Sequence, residues 1–229
     1  MNFWNFTAGD AGRELHLNGP ISDVTWFGDE VTPAAFKADL AAGDGDITVW
    51  INSPGGCVFA ADEIYSALKE YPGKVTVKIT GMCASAASIV AMAGAEVLMS
   101  PVSYMVIHNP ATVAIGDSDE MLRAKAMLDE IKEGIVNAYE VKTRLPRAEI
   151  SRLMNEESCF NAKKAVQLGF ADGMLYGDDD QSQPVLFSRA AVTNSLLRAM
   201  PRARDAPTDS SHRHKLDLIK SHITKGAPA

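Results

Sequence analysis

Polar and apolar positions alternate over residues 13–18, the two-residue period of a strand with one covered face, and Gly19-Pro20 ends the run. Thr32 then stands as an N-cap before Pro33, and the spacing predicts a helix to about Ala42, stopped by Gly43-Asp44-Gly45-Asp46. Residues 47–51 form a continuous apolar-rich run of strand length. Val58, Ala61, Ile64, Tyr65 and Leu68 recur at helical spacing, so a strand, a Gly-rich turn and a helix follow one another. Pro72-Gly73 introduces a β-branched strand over 74–80, then Gly81 and an Ala-rich helix over about 84–93, repeating the unit. Two further buried strands are expected at 97–99 and 104–108. A long charged helix is expected over 118–144, ended by Pro146, with shorter helices at 148–154 and 162–168, the last closed by Gly169. This alternation predicts an α/β fold, a largely parallel sheet covered by helices.

Composition narrows the class. The 229 residues are 46% hydrophobic, enough for one domain with appendages. The longest apolar stretch, 84–95, is far short of the roughly 20 residues that cross a bilayer, and the first residues lack the pattern of a secretory signal. The expected location is the cytoplasm. Cys57, Cys83 and Cys159 are odd in number and form no C-x-x-C pair, which argues against disulfides or a zinc site. His212-x-His214 lacks a third ligand, so neither metal nor cofactor is expected.

The net charge of −7 opposes nucleic-acid binding, and it is unevenly spread. Residues 1–176 carry 14 Lys and Arg against 23 Asp and Glu, whereas 177–229 carry 8 against 6. The expected organisation is a catalytic-sized domain over 1–176 and a flexible linker and tail over 177–229, with amphipathic helices possible at 188–200 and 213–224.

Candidate chemistry collects at the ends of the strand-like runs. Ser85 lies where a strand gives way to the Ala-rich helix, a junction that presents a hydroxyl among small neighbours. The surrounding sequence is not the G-x-S-x-G elbow, and a plain helix-cap serine is the alternative. Ser88, one turn on, reads as packing. His108 follows a buried strand and precedes Asn109-Pro110. It is the one histidine placed to act as a base, or else a structural histidine satisfied by a backbone group. Gly55-Gly56 removes two side chains where strand turns to helix, exposing backbone N–H groups to a substrate carbonyl or simply making a turn.

Three stretches in order, 51–56 (Ile-Asn-Ser-Pro-Gly-Gly), 81–85 (Gly-Met-Cys-Ala-Ser) and 105–110 (Met-Val-Ile-His-Asn-Pro), resemble the core motifs of the ClpP-type serine peptidases. The segment 160–172 resembles that family's late helix and strand, and the similarity spans about 12–176. The resemblance implies a ClpP/crotonase-like fold of repeated ββα/βαβ units with a protruding handle helix over 118–144. It implies Ser85 as nucleophile, His108 as general base, and the N–H groups of Gly56 and Ala86 as oxyanion donors beside Gly55. It places Glu157 as the orienting carboxylate, with Glu156 and Asp172 as alternatives. It also implies ring-forming homo-oligomers acting on polypeptides, by an ATP-independent or ATPase-assisted route. The short segment before Arg13 argues against dependence on an unfolding ATPase. Together with the extra tail it resembles phage and prophage peptidases that mature capsid and scaffold proteins. Two other classes compete: a crotonase-like acyl-CoA enzyme, which needs no hydroxyl at 85, and a noncatalytic assembly component acting through the tail. A thiol mechanism at Cys83 is the weakest option, that residue reading as buried packing.

Overall fold

The computed structural model describes residues 4–9, 12–22 and 33–176. The expected cap at Thr32 and the tail at 177–229 lie outside the described residues. The strand expected from the first alternation is β2 (Gly12–Asn18), and a strand that the periodicity did not reveal, β1 (Trp4–Gly9), pairs with it antiparallel. Helix α1 (Pro33–Ala41) follows, then β3 (Ile47–Ser53), α2 (Val58–Glu70), β4 (Val75–Ala84) and α3 (Ala86–Ala91). The second half contains β5 (Glu96–Met99), β6 (Tyr104–Val106), α4 (Ser118–Thr143), α5 (Arg147–Asn155), β7 (Cys159–Asn161), α6 (Ala162–Gln167) and β8 (Gly173–Met174).

The sheet runs β1-β2-β3-β4-β5-β8, and β6 branches from the end of β4 and carries β7 on its other edge. The pairs β2–β3, β3–β4, β4–β5, β4–β6 and β5–β8 are parallel, as the strand–helix alternation requires, and β1–β2 and β6–β7 are antiparallel. Register places Leu15, Val49, Val77 and Val97 in one row across four strands and Leu17, Ile51, Ile79 and Met99 in the next, all buried. Each such side chain contributes about 1.5–3 kcal/mol by leaving water.

Among the described residues one face of the sheet is buried more deeply than the other. Burial alternates along β3 and β4. The opposite face carries a half-buried row in which His16 stacks on Trp50 with centroids 6.2 Å apart, and the Lys78 ammonium lies 4.7 Å from the Trp50 ring centroid.

Two boundaries differ from the periodicity in a way that matters for the site. Strand β4 runs through Gly81 to Ala84, so α3 starts at Ala86 and Ser85 is the single residue between them. Strand β6 stops at Val106, leaving His108 beyond the ladder. The extension of β4 depends on Asn52, whose side-chain oxygen accepts the Met82 N–H at 3.1 Å where the β3–β4 register shifts.

Candidate active site

Ser85 is held in a backbone conformation that side chains seldom adopt, φ 54° and ψ −127°, on a strand-to-helix turn. Such a conformation costs of order 1–3 kcal/mol and persists because its surroundings fix it. The Ser85 N–H donates to Val106 O at 2.8 Å, fastening the turn to the end of β6. A sharp strained turn therefore exists here without the G-x-S-x-G sequence, since Cys83 and Ala87 are small enough to stand where that motif has glycines. Ser85 is half-buried, and among the described residues its hydroxyl has no hydrogen-bond partner.

The Gly55-Gly56 loop packs directly against this turn. A Cβ on Gly55, whose φ is 88°, would stand 2.5 Å from Ala84 O, 2.8 Å from Ser85 Cβ and 2.9 Å from the Ala86 nitrogen. Glycine at 55 thus keeps open the space in front of the Ala86 N–H. Gly56 has a packing reason of its own, because a Cβ there would lie 2.0 Å from Ile21 O. Ile21 and Gly56 form a parallel bridge in which Ile21 N–H donates to Gly55 O and Cys57 N–H donates to Ile21 O, both at 2.9 Å. The N–H of Gly56 itself points away from Ile21 in such a bridge. Ser53 fixes the loop: its hydroxyl donates to Gly19 O at 2.6 Å and accepts the Gly55 N–H at 3.1 Å.

His108 extends from the far side of β6. Its Nδ1 lies 2.6 Å from Asn109 O. A carbonyl only accepts, so Nδ1 is the donor in this contact and Nε2 is the nitrogen left for other partners. The same bond is the one a structural histidine satisfied by a backbone group makes. Asn109 is anchored in turn, its Nδ2 donating to Asn155 Oδ1 at 2.9 Å, an oxygen that also accepts from Lys132 Nζ at 2.8 Å.

The register locates Glu157. Val106 pairs with Cys159 and Ile107 N–H donates to Ser158 O at 3.0 Å, so the segment that enters β7, with Glu157 two residues before that strand, runs beside the segment that leaves β6 toward His108. Glu157 is half-buried at φ 49°. It closes α5 in a Schellman motif, with Glu157 N–H on Met154 O and Ser158 N–H on Leu153 O, both 3.2 Å. Ser85, His108 and Glu157 therefore leave the ends of three adjacent strands or strand extensions, β4, β6 and β7.

Known proteins resemble this chain in sequence over most of its length. The Clp protease family model matches residues 12–177. The chain belongs to the Clp protease family. It is 30% identical to the ATP-dependent Clp protease proteolytic subunit 1 of Chlamydia caviae over 173 residues, 73% of this chain and 89% of that protein. It is 27% identical to the chloroplastic ATP-dependent Clp protease proteolytic subunit 3 of Arabidopsis thaliana, over 77% of this chain and 56% of that one. It is a serine-type peptidase, with the mixed α/β fold of the Clp proteases.

Within this Clp protease the rival candidates have other occupations. Cys83 is fully buried in the core, and burial pushes its thiol far above the ordinary range, which suppresses the thiolate a cysteine nucleophile requires. Glu156 pairs with Arg152 at 2.6 Å on the exposed side of α5. Asp172 accepts the Val97 N–H and pairs with Lys142, each at 2.6 Å, beside β5 and β8. Sequence reasoning passed over Asn52, Ser53, Asn109 and Asn155, which hold the site through polar contacts that leave no periodic signal. Ser88, read as packing, is fully buried but also hydrogen-bonded to Ser85 O.

Proposed function

We propose that Ser85 is the nucleophile of a self-compartmentalised serine endopeptidase, with His108 as general base and Glu157 as the carboxylate that stabilises the imidazolium. The observation that carries this reading is the strained turn of Ser85, packed against the Gly55-Gly56 loop and fastened to the end of β6, the strand that His108 follows. Ser85 Oγ attacks the peptide carbonyl while His108 Nε2 takes its proton, a hydrogen bond that closes in the substrate complex. The oxyanion is received by the N–H groups of Gly56 and Ala86, and Gly55 leaves room for it. The imidazolium then protonates the leaving amine, and water, activated by the same nitrogen, hydrolyses the ester.

The substrates are polypeptides admitted to a homo-oligomeric ring, where confinement supplies the selectivity that the reaction itself lacks. A finer reading assigns the protein to maturation of phage capsid or scaffold chains in the cytoplasm. The segment 177–229, which follows the family-matched region and inverts its charge balance, supports that reading.

Labelling of the assembled protein with a fluorophosphonate tests the chemistry. Wild type is expected to be labelled at Ser85, and Ser85→Ala to lose both labelling and peptide hydrolysis. Turnover that survives Ser85→Ala overturns the mechanism. Co-expression with capsid and scaffold chains, read by mass spectrometry for cleavage dependent on Ser85, tests the finer assignment.

A further inference from the structure

The carbonyl of Ser85 belongs to the same planar peptide as the N–H of Ala86, so whatever anchors the one aims the other in the opposite direction. Two donors meet that carbonyl: the Ser88 N–H at 2.9 Å and the Ser88 hydroxyl at 2.5 Å. The Ser88 hydroxyl has one proton, and a carbonyl only accepts, so that proton is committed to Ser85 O. Tyr139 Oη lies 2.7 Å from Ser88 Oγ, and between these two hydroxyls Tyr139 is therefore the donor. The result is an ordered chain, Tyr139 to Ser88 to the Ser85 carbonyl, wholly shut off from water: Ser88 is 0% and Tyr139 1% exposed.

We infer that Ser88 and Tyr139 are positioning residues that hold the 85–86 peptide with the Ala86 N–H directed at the developing oxyanion. Ser85 occupies a conformation that needs outside support, and this chain supplies it from α4, a helix distant in sequence. The Tyr139 ring is itself fixed edge-on against Phe170 at 5.3 Å, so the hydroxyl is delivered from a rigid base. Burial pushes the phenol upward, which keeps it a donor throughout the neutral range. The inference rests on the proposed role of Ser85.

The test uses the full-length assembled protein. Tyr139→Phe retains the ring and removes only the hydroxyl. Its kcat for a peptide substrate is expected to fall about tenfold or more with KM unchanged, because a misaimed oxyanion donor weakens the transition state and not the ground state. Ser88→Ala is expected to fall at least as far, and the double variant no further than Ser88→Ala alone, since both act through one chain. Rates are normalised to active sites titrated with a fluorophosphonate, and thermal midpoints are measured in parallel. A lowered midpoint with wild-type kcat in either single variant overturns the inference, as does a double variant whose losses multiply. If Tyr139→Phe does not assemble, Ser88→Ala decides alone. Turnover that persists in Ser85→Ala defeats the nucleophile assignment itself, whereas its loss in Ser85→Ala with full kcat in Ser88→Ala defeats only the positioning role.

Discussion

Glu157 sits where backbone stability and its proposed catalytic role ask for different residues. Its φ of 49° at the C′ position of α5 is the left-handed conformation for which glycine is preferred, and a residue with a side chain there costs roughly 1 kcal/mol. Glu157→Gly is expected to leave the fold intact, relieving the backbone by about 1 kcal/mol, while lowering kcat by about a hundredfold if the carboxylate stabilises the imidazolium. Thermal unfolding and steady-state kinetics on the same preparation check both halves, and unchanged kcat would remove Glu157 from the mechanism. The sequence made Ser85, His108 and Gly55-Gly56 legible because glycine, serine and histidine at strand ends are conspicuous. It left Glu157 among three acids. Glu156 and Asp172 make ion pairs with Arg152 and Lys142 that no local pattern announces.

The elements read correctly where a long period was present and poorly where only a few residues were paired. Helices α2 and α4 were visible as stripes of apolar residues, but β7 has three residues and β8 two, too few for any period to emerge. Yet β7 pairs with β6 and so brings the segment that carries Glu157 alongside the strand that leads to His108, which makes a barely legible strand consequential. The Ala-rich stretch that looked like a helix from residue 84 begins two residues later, at Ala86, because Ala84 pairs with Val106 in the sheet. Helix α4 also carries an internal weakness: Gly134 is exposed in mid-helix, and a Cβ built on it meets nothing within 4 Å. Gly134→Ala is expected to stabilise the subunit by about 1 kcal/mol, seen as a higher midpoint in chemical denaturation without loss of peptide hydrolysis.

At the scale of the molecule, α4 divides into two parts. Its buried residues are Ile135, Val136, Ala138 and Tyr139, all in the last third, whereas Met121, Leu122 and Met127 are exposed nearer its start. Apolar side chains on a helix whose first turns lie outside the core suit a contact between copies of the chain, as the proposed ring requires. Met121→Asp with Leu122→Asp is expected to shift the sedimentation profile toward smaller species and to lower peptidase activity in proportion. An unchanged profile would remove this helix segment from assembly. The second α4 contribution is inward, through Tyr139 and Lys132, two turns apart on the helix and hydrogen-bonded into networks that end at Ser85 and His108 respectively.

By itself the sequence determined the alternation of strands and helices, the rows of Val, Ile and Leu that fill the core, and the three motifs that carry a serine, a histidine and a glycine turn. These are local properties, fixed by side-chain period and by the conformations glycine and proline allow. The tertiary structure decided that His108 Nδ1 meets the Asn109 carbonyl, that Gly55 packs against the Ser85 turn, and that Tyr139 reaches Ser88 from 51 positions away. Those depend on register and on buried hydrogen bonds between distant segments, where the cost of leaving a polar group unpaired, and not any local preference, selects the partner.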